Sequence, residues 1–218
     1  AFGLTPQGDE ARLFQRLVDK IERETAGHIG TGLIGGQWLM RVLSDHGRPD
    51  LAYGMATKTT YPSWGYMIEN GATTIWELWN GNTADPAMNS HNHVMLVGDL
   101  NLWFHEYLAG IRPEQPGFKQ LVMKPLPVGD LTHVKASCLT AHGTVFSEWH
   151  IKDSAFSWSI TIPANTEATV HVPTLNPDAV SESGEPAANA EGVTFLRMEN
   201  GTAVYAVVAG QYQFNATT

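Results

Sequence analysis

The hydrophobic period of this chain changes once, and that change limits what it can fold into. In "DEARLFQRLVDKIERE" (residues 9–24), Leu13, Leu17, Val18 and Ile21 recur at helical spacing, with acids in the first turn and charges on the other face. "GGQWLMRVLSDHGRPD" predicts a second helix after Gly35 and Gly36, stopped by Gly47 and Pro49. "DLAYGMATK" predicts a third, opening on Asp50, and "NHVMLVGDLNLWFHEYLAG" a fourth, ending at Gly110. Beyond "IRPEQPGF" the spacing becomes two: Phe156, Trp158, Ile160 and Ile162 alternate with polar residues, as do Ala168, Val170 and Val172. Asn200-Gly201, between "VTFLRME" and "TAVYAVVAGQYQF", is a hairpin signal whose register tolerates a slip of one or two residues. Residues 176–192, poor in large apolar side chains, read as a polar loop or hairpin tip. The expected layout is a helical segment, 1–112, followed by a mostly antiparallel β domain, 113–218.

Charge narrows the partners. With 22 acidic against 13 basic residues, a net charge of -9 and no run of like charges, the chain is a poor match for nucleic acid or an anionic membrane surface. No apolar run reaches the length of a membrane span. The single cysteine, Cys138, has no intrachain partner and is expected to act as a small buried hydrophobe. The glycine-rich run from Gly30 to Gly36 lacks the Lys-Ser/Thr ending of a phosphate loop, so its glycines are read as allowing a tight turn between helices. No calcium-loop pattern occurs, and no cofactor is expected.

Chemistry concentrates in "YPSWGYMIENGATTIWELWNG" (residues 61–81), where Glu77 sits among Trp64, Trp76 and Trp79 and the only other charge is Glu69. Two readings of Glu77 stand side by side. Thr74-Ile75-Trp76-Glu77 fits a capping box, in which Glu77 would only close a helix start. Alternatively Glu77 is a general acid or base, flanked by rings that stack on the apolar face of a sugar. Downstream, "MNSHNHVML" carries His91 and His93; a metal there would need a third ligand that the sequence does not mark. A helix start capped by Ser90 or Asn92 explains the pair better, and His93 would then face the layer of Glu77. The other histidines share no spacing and read as surface or satisfied core residues.

Taken whole, "HIGTGLIGGQWLMRVLSDHGRPDLAYGMATKTTYPSWGYMIENGATTIWELW" followed by "MNSHNHVMLVGDLNLWFHEYLAGI" resembles the C-terminal part of the catalytic domain of bacterial α-L-rhamnosidases of glycoside hydrolase family 78. "LVMKPLPVGDL", "HGTVFSEW" and "ITIPANTEATVHVP" resemble the β-sandwich that follows it, so the likeness covers nearly the whole chain. The resemblance implies helices of a partial (α/α)6 barrel followed by an antiparallel β-sandwich, hydrolysis with inversion, and a rhamnose-containing glycoside or polysaccharide as partner. It also implies Glu77 as the base that activates water and His93 as a rhamnose contact, with Trp64 and Trp76 as candidate aromatic walls. The general acid of that family lies in an acidic, arginine-containing segment that nothing here matches. Upstream polypeptide is therefore expected to complete the barrel, and the chain by itself to be inactive. A carbohydrate-binding or structural module without turnover is the alternative.

Overall fold

The acid-led run after Asp9 forms helix α1 (Glu10–Asp19), which passes into a π turn over Lys20–Glu24. Its apolar stripe is only partly used: Val18 and Ile21 are buried, whereas Leu13 stays exposed. Helix α2 (Leu33–Asp45) starts earlier than its sequence suggests and takes Gly35 and Gly36 into its first turn. A Cβ on Gly35 would lie 2.9 Å from Thr31 Cβ, so the glycine is there for close packing. Helix α3 (Pro49–Ala56) opens on Pro49, whose fixed φ and missing N–H suit a first turn. Asp50 is thus inside the helix, where Arg48 binds it at 2.9 Å while also reaching Glu22 at 2.7 Å. The guanidinium holds the Asp50 carboxyl below its ordinary value.

Helix α4 (Trp64–Glu69) was not expected; Ser63 Oγ starts it by accepting the Tyr66 amide at 2.9 Å. Helix α5 (Met95–Trp103) begins later than Ser90 or Asn92 and runs into a second π turn, Phe104–Leu108. Helix α2 packs against α3 and α5, burying Leu39, Met40, Leu43, Met55, Leu100 and Trp103. Trp103 Nε1 donates to Ser44 Oγ (2.8 Å), which donates in turn to the Met40 carbonyl (2.8 Å). The computed structural model describes residues 3–217. None of its helices is long and apolar enough to cross a membrane.

The second period of the sequence yields β1 (Ile111–Pro113), β2 (Gln120–Met123), β3 (His133–Thr140), β4 (Gly143–Lys152), β5 (Ala155–Ile162), β6 (Glu167–Pro173), β7 (Ser181–Glu182), β8 (Glu185–Pro186), β9 (Val193–Glu199), β10 (Thr202–Val207) and β11 (Gly210–Thr217). They form two sheets, ordered β1-β2-β6-β10-β9 and β3-β4-β5-β11-β7-β8. Pairing is antiparallel except between β2 and β6, which run parallel. The alternating residues face inward as expected: Phe156, Trp158, Ile160, Ile162, Val170 and Val172 are all buried in one core. Asn200 (φ 47°) and Gly201 (φ 76°) close the β9–β10 hairpin with two left-handed residues. Its register slips between Val204 and Tyr205, which face Arg197 and Phe195 and leave Leu196 as a bulge. The polar stretch 176–192 carries β7 and β8, with Val180 and Ala187 buried as its anchors. Cys138 is half-buried rather than buried, because β3 is an edge strand and covers the core from one side.

Contacts divide the chain between Trp103 and Phe104, upstream of the 112/113 division expected from periodicity. The residues after Trp103 already bond into the sandwich: Trp149 Nε1 donates to the Leu108 carbonyl (2.8 Å) and Ser147 Oγ to the Ala109 carbonyl (2.7 Å).

A buried imidazole makes the sandwich sensitive to acid. His171 on β6 is 5% exposed and faces Thr202 Oγ1 at 3.3 Å. Burial, and secondarily the positive charge of Lys124, push its pKa down from 6.5 to about 4. The unfolded chain takes up this proton near pH 6.5 and the folded chain only near pH 4. Stability from this group is therefore complete above pH 6.5 and drains away as the pH falls toward 4. Urea midpoints measured across this window are expected to fall with acidity, and to fall less steeply in His171→Gln.

Candidate active site

Residues 72–90 contain no α-helix, so Thr74-Ile75-Trp76-Glu77 does not form the capping box that its spacing permits. The segment instead runs alongside residues 89–93. The His93 amide donates to the Ile75 carbonyl (2.8 Å), the Glu77 amide to the Ser90 carbonyl (2.8 Å), and the Leu78 amide to Asn89 Oδ1 (3.1 Å). Thr74 Oγ1 adds a bond to the His91 carbonyl. This ribbon satisfies backbone groups that would otherwise need a helix or water, and it decides where the side chains point.

Glu77 Oε2 accepts the Ser90 amide at 3.0 Å, and His93 Nδ1 stands 3.9 Å from the same oxygen. Among the described residues Oε1 accepts no hydrogen bond. The Glu77 side chain is 42% exposed and that of His93 22%, so a carboxylate held by one oxygen presents the other to solvent. That is the arrangement a base needs: fixed orientation on one side, a free lone pair on the other. Ser90 was expected to cap a helix; its Oγ accepts the Asn92 amide (3.2 Å) in a local turn, because α5 starts only at Met95.

The tryptophans take different places. Trp76 is 5% exposed and its indole lies under Gly81, where a Cβ would come within 2.6 Å of the ring. Its other neighbour is His91, at 5.8 Å between ring centroids. Trp64, at the first turn of α4, meets Trp79 edge to face at 5.7 Å and 77°. These two rings, with Ile29, Thr31, Met40 and Asp99, line a cavity of about 20 Å³. That volume holds about one water and no sugar ring, and Glu77 is not among the described residues lining it.

The side chains of His91 and His93 turn to different partners. His91 Nε2 faces the Gly81 carbonyl at 3.3 Å, while His93 turns to Glu77. Sequence reasoning missed Asn89 and read Ser90 only as a helix cap, whereas both orient the Glu77 loop. The clue in the sequence was their spacing: eleven to thirteen residues from Glu77 and Leu78, across a loop with Pro86.

Helices carrying an open carboxylate on a loop ribbon are followed along the chain by a two-sheet β unit. Residues 1–108 match the bacterial alpha-L-rhamnosidase 6 hairpin glycosidase domain, and residues 110–186 match the bacterial alpha-L-rhamnosidase C-terminal domain. The chain belongs to the bacterial alpha-L-rhamnosidase family. It is 35% identical to an alpha-L-rhamnosidase of Streptomyces avermitilis over 98% of its own length and 20% of that protein's. To one of Formosa agariphila it is 34% identical, over 99% of its length and 24% of the relative's. The crystal structure of the Streptomyces avermitilis enzyme complexed with L-rhamnose superposes with a TM-score of 0.90 at 34% identity, covering 98% of this chain and 20% of that one. The enzyme from Dictyoglumus thermophilum gives 0.88 at 35% identity, covering 98% and 24%. The chain thus spans between a fifth and a quarter of the length of the relatives it matches.

Proposed function

We propose that this chain is the part of an inverting α-L-rhamnosidase that carries the general base, Glu77, and that it acts on terminal α-L-rhamnose of glycosides or polysaccharides. The observation that carries the reading is the Glu77 carboxylate itself, anchored through Oε2 to the Ser90 amide and open at Oε1. In this reading Oε1 takes a proton from the water attacking the anomeric carbon. His93, beside the anchored oxygen, binds a rhamnose hydroxyl. Trp64, edge to face with Trp79, and Trp76, packed beneath Gly81, support the loop that carries Glu77 rather than stacking on sugar.

The leaving group needs a proton donor on the opposite side of the bond, about 6.5–9.5 Å from Glu77, to leave space for the water. The residue with that role is assigned to polypeptide outside these 218 residues, and the chain alone is accordingly inactive.

Product stereochemistry tests the mechanism. Proton NMR of a rhamnoside incubated with the complete polypeptide is expected to show the β-anomer of rhamnose first, with the α-anomer appearing only as mutarotation proceeds. First appearance of the α-anomer would mean retention and a carboxylate acting as nucleophile, which this assignment does not allow.

A further inference from the structure

A second group of ionisable side chains lies in the sandwich. His133 on β3 and His150 on β4 are direct cross-strand partners, and Glu148 sits two residues before His150. Alternation along the strands therefore puts all three on one face, the one opposite the buried Ser147 and Trp149. The two imidazoles stack at 4.1 Å between centroids and 7° between planes. Both direct Nε2 at one carboxylate oxygen: Glu148 Oε1 is 3.1 Å from His133 Nε2 and 3.7 Å from His150 Nε2. Lys135 Nζ holds the other oxygen, Oε2, at 3.3 Å, which keeps Oε1 turned toward the rings.

The geometry points to a binding site for one divalent cation of the zinc class at His133, Glu148 and His150. Their ligand atoms lie within 4.8 Å of one another, and an ion between them needs contacts of about 2.0–2.2 Å. Small rotations of three solvent-accessible side chains supply that closure, with the β3–β4 ladder as a rigid frame. Two imidazole nitrogens and one carboxylate oxygen suit zinc, copper(II) or nickel(II), with water filling the remaining position. Calcium and magnesium, which prefer oxygen donors, are disfavoured by the same set. The site belongs to the sandwich unit, whereas Glu77 belongs to the helical one. Because β3 is the edge of its sheet, a bound ion clamps an edge strand to its neighbour.

Zinc titration of the metal-free protein by calorimetry, with thermal unfolding alongside, tests the assignment. One equivalent is expected to bind and to raise Tm. Both effects should vanish in the His133→Ala/His150→Ala double variant and persist in His142→Ala, which alters the turn of the same hairpin outside the cluster. Glu148→Gln, which keeps the side-chain shape, is expected to weaken binding without unfolding the sandwich, as its circular dichroism would confirm. Absence of zinc binding, binding untouched by the double variant, or equal loss in His142→Ala overturns the site.

Discussion

Glu77→Gln in the complete rhamnosidase polypeptide is expected to lower kcat by about 10² to 10⁴ while leaving sugar binding nearly intact. Glutamine has the same shape, and its amide oxygen still accepts the Ser90 N–H that anchors Oε2 in the wild type. What it cannot do is take a proton from water. The split between kcat and KM therefore separates a chemical role from a supporting one: a residue that merely shaped the loop would change both, through lost binding. Unchanged turnover in Glu77→Gln would remove the base and leave a sugar-binding module. The test needs a binding readout beside the rate, such as quenching of tryptophan emission by rhamnose.

The largest effect on stability is expected from Trp158→Ala. Trp158 is fully buried between the sheets, and its removal should cost about 3–5 kcal/mol through lost burial and the cavity left behind. Its indole also begins a relay: Nε1 donates to Ser147 Oγ (2.9 Å), which donates to the Ala109 carbonyl (2.7 Å). Ser147→Ala removes the middle member and strands a buried donor and a buried acceptor, costing about 1–3 kcal/mol despite deleting a single oxygen. Since the two residues share one relay, the double variant should be less damaged than the sum of the singles. Urea unfolding followed by a sheet-specific signal measures all three. A Trp158→Ala loss below that of Ser147→Ala would show that the site collapses to fill its own void.

The sandwich was legible because its information is local. Alternation at Phe156, Trp158, Ile160 and Ile162 names the inward face without knowledge of any partner strand, and Asn200-Gly201 marks its turn by backbone preference alone. The helical segment was legible in its long stripes and less so at its ends, where Pro49 and not Asp50 opens α3 and a six-residue helix starts at Ser63. The site was half visible. A lone carboxylate among tryptophans, together with the family resemblance, singled out Glu77 and His93. What spacing left open was the choice between a helix cap and a base, because Thr74-x-x-Glu77 suits both. A pairing that is not local excludes the cap: residues 74–78 lie against 89–93, and no period in either segment announces this. The same limit hid the His133–His150 pair, which exists only once the β3–β4 register is known.

The ribbon that anchors Glu77 also closes a neck. Between Leu78 and Asn89 the chain makes an excursion whose near end is tied down, Gly81 by His91 and Asn82 by Asn70, while nearly all of the stretch from Asn82 to Met88 is exposed. Lengthening such an excursion adds little closure entropy, since that cost grows only with the logarithm of its length. The exposed stretch beyond Asn82 can thus change in length at little closure cost while the Ser90 amide still holds the carboxylate. Insertions and substitutions in that exposed stretch can therefore accumulate without moving the Glu77 carboxylate.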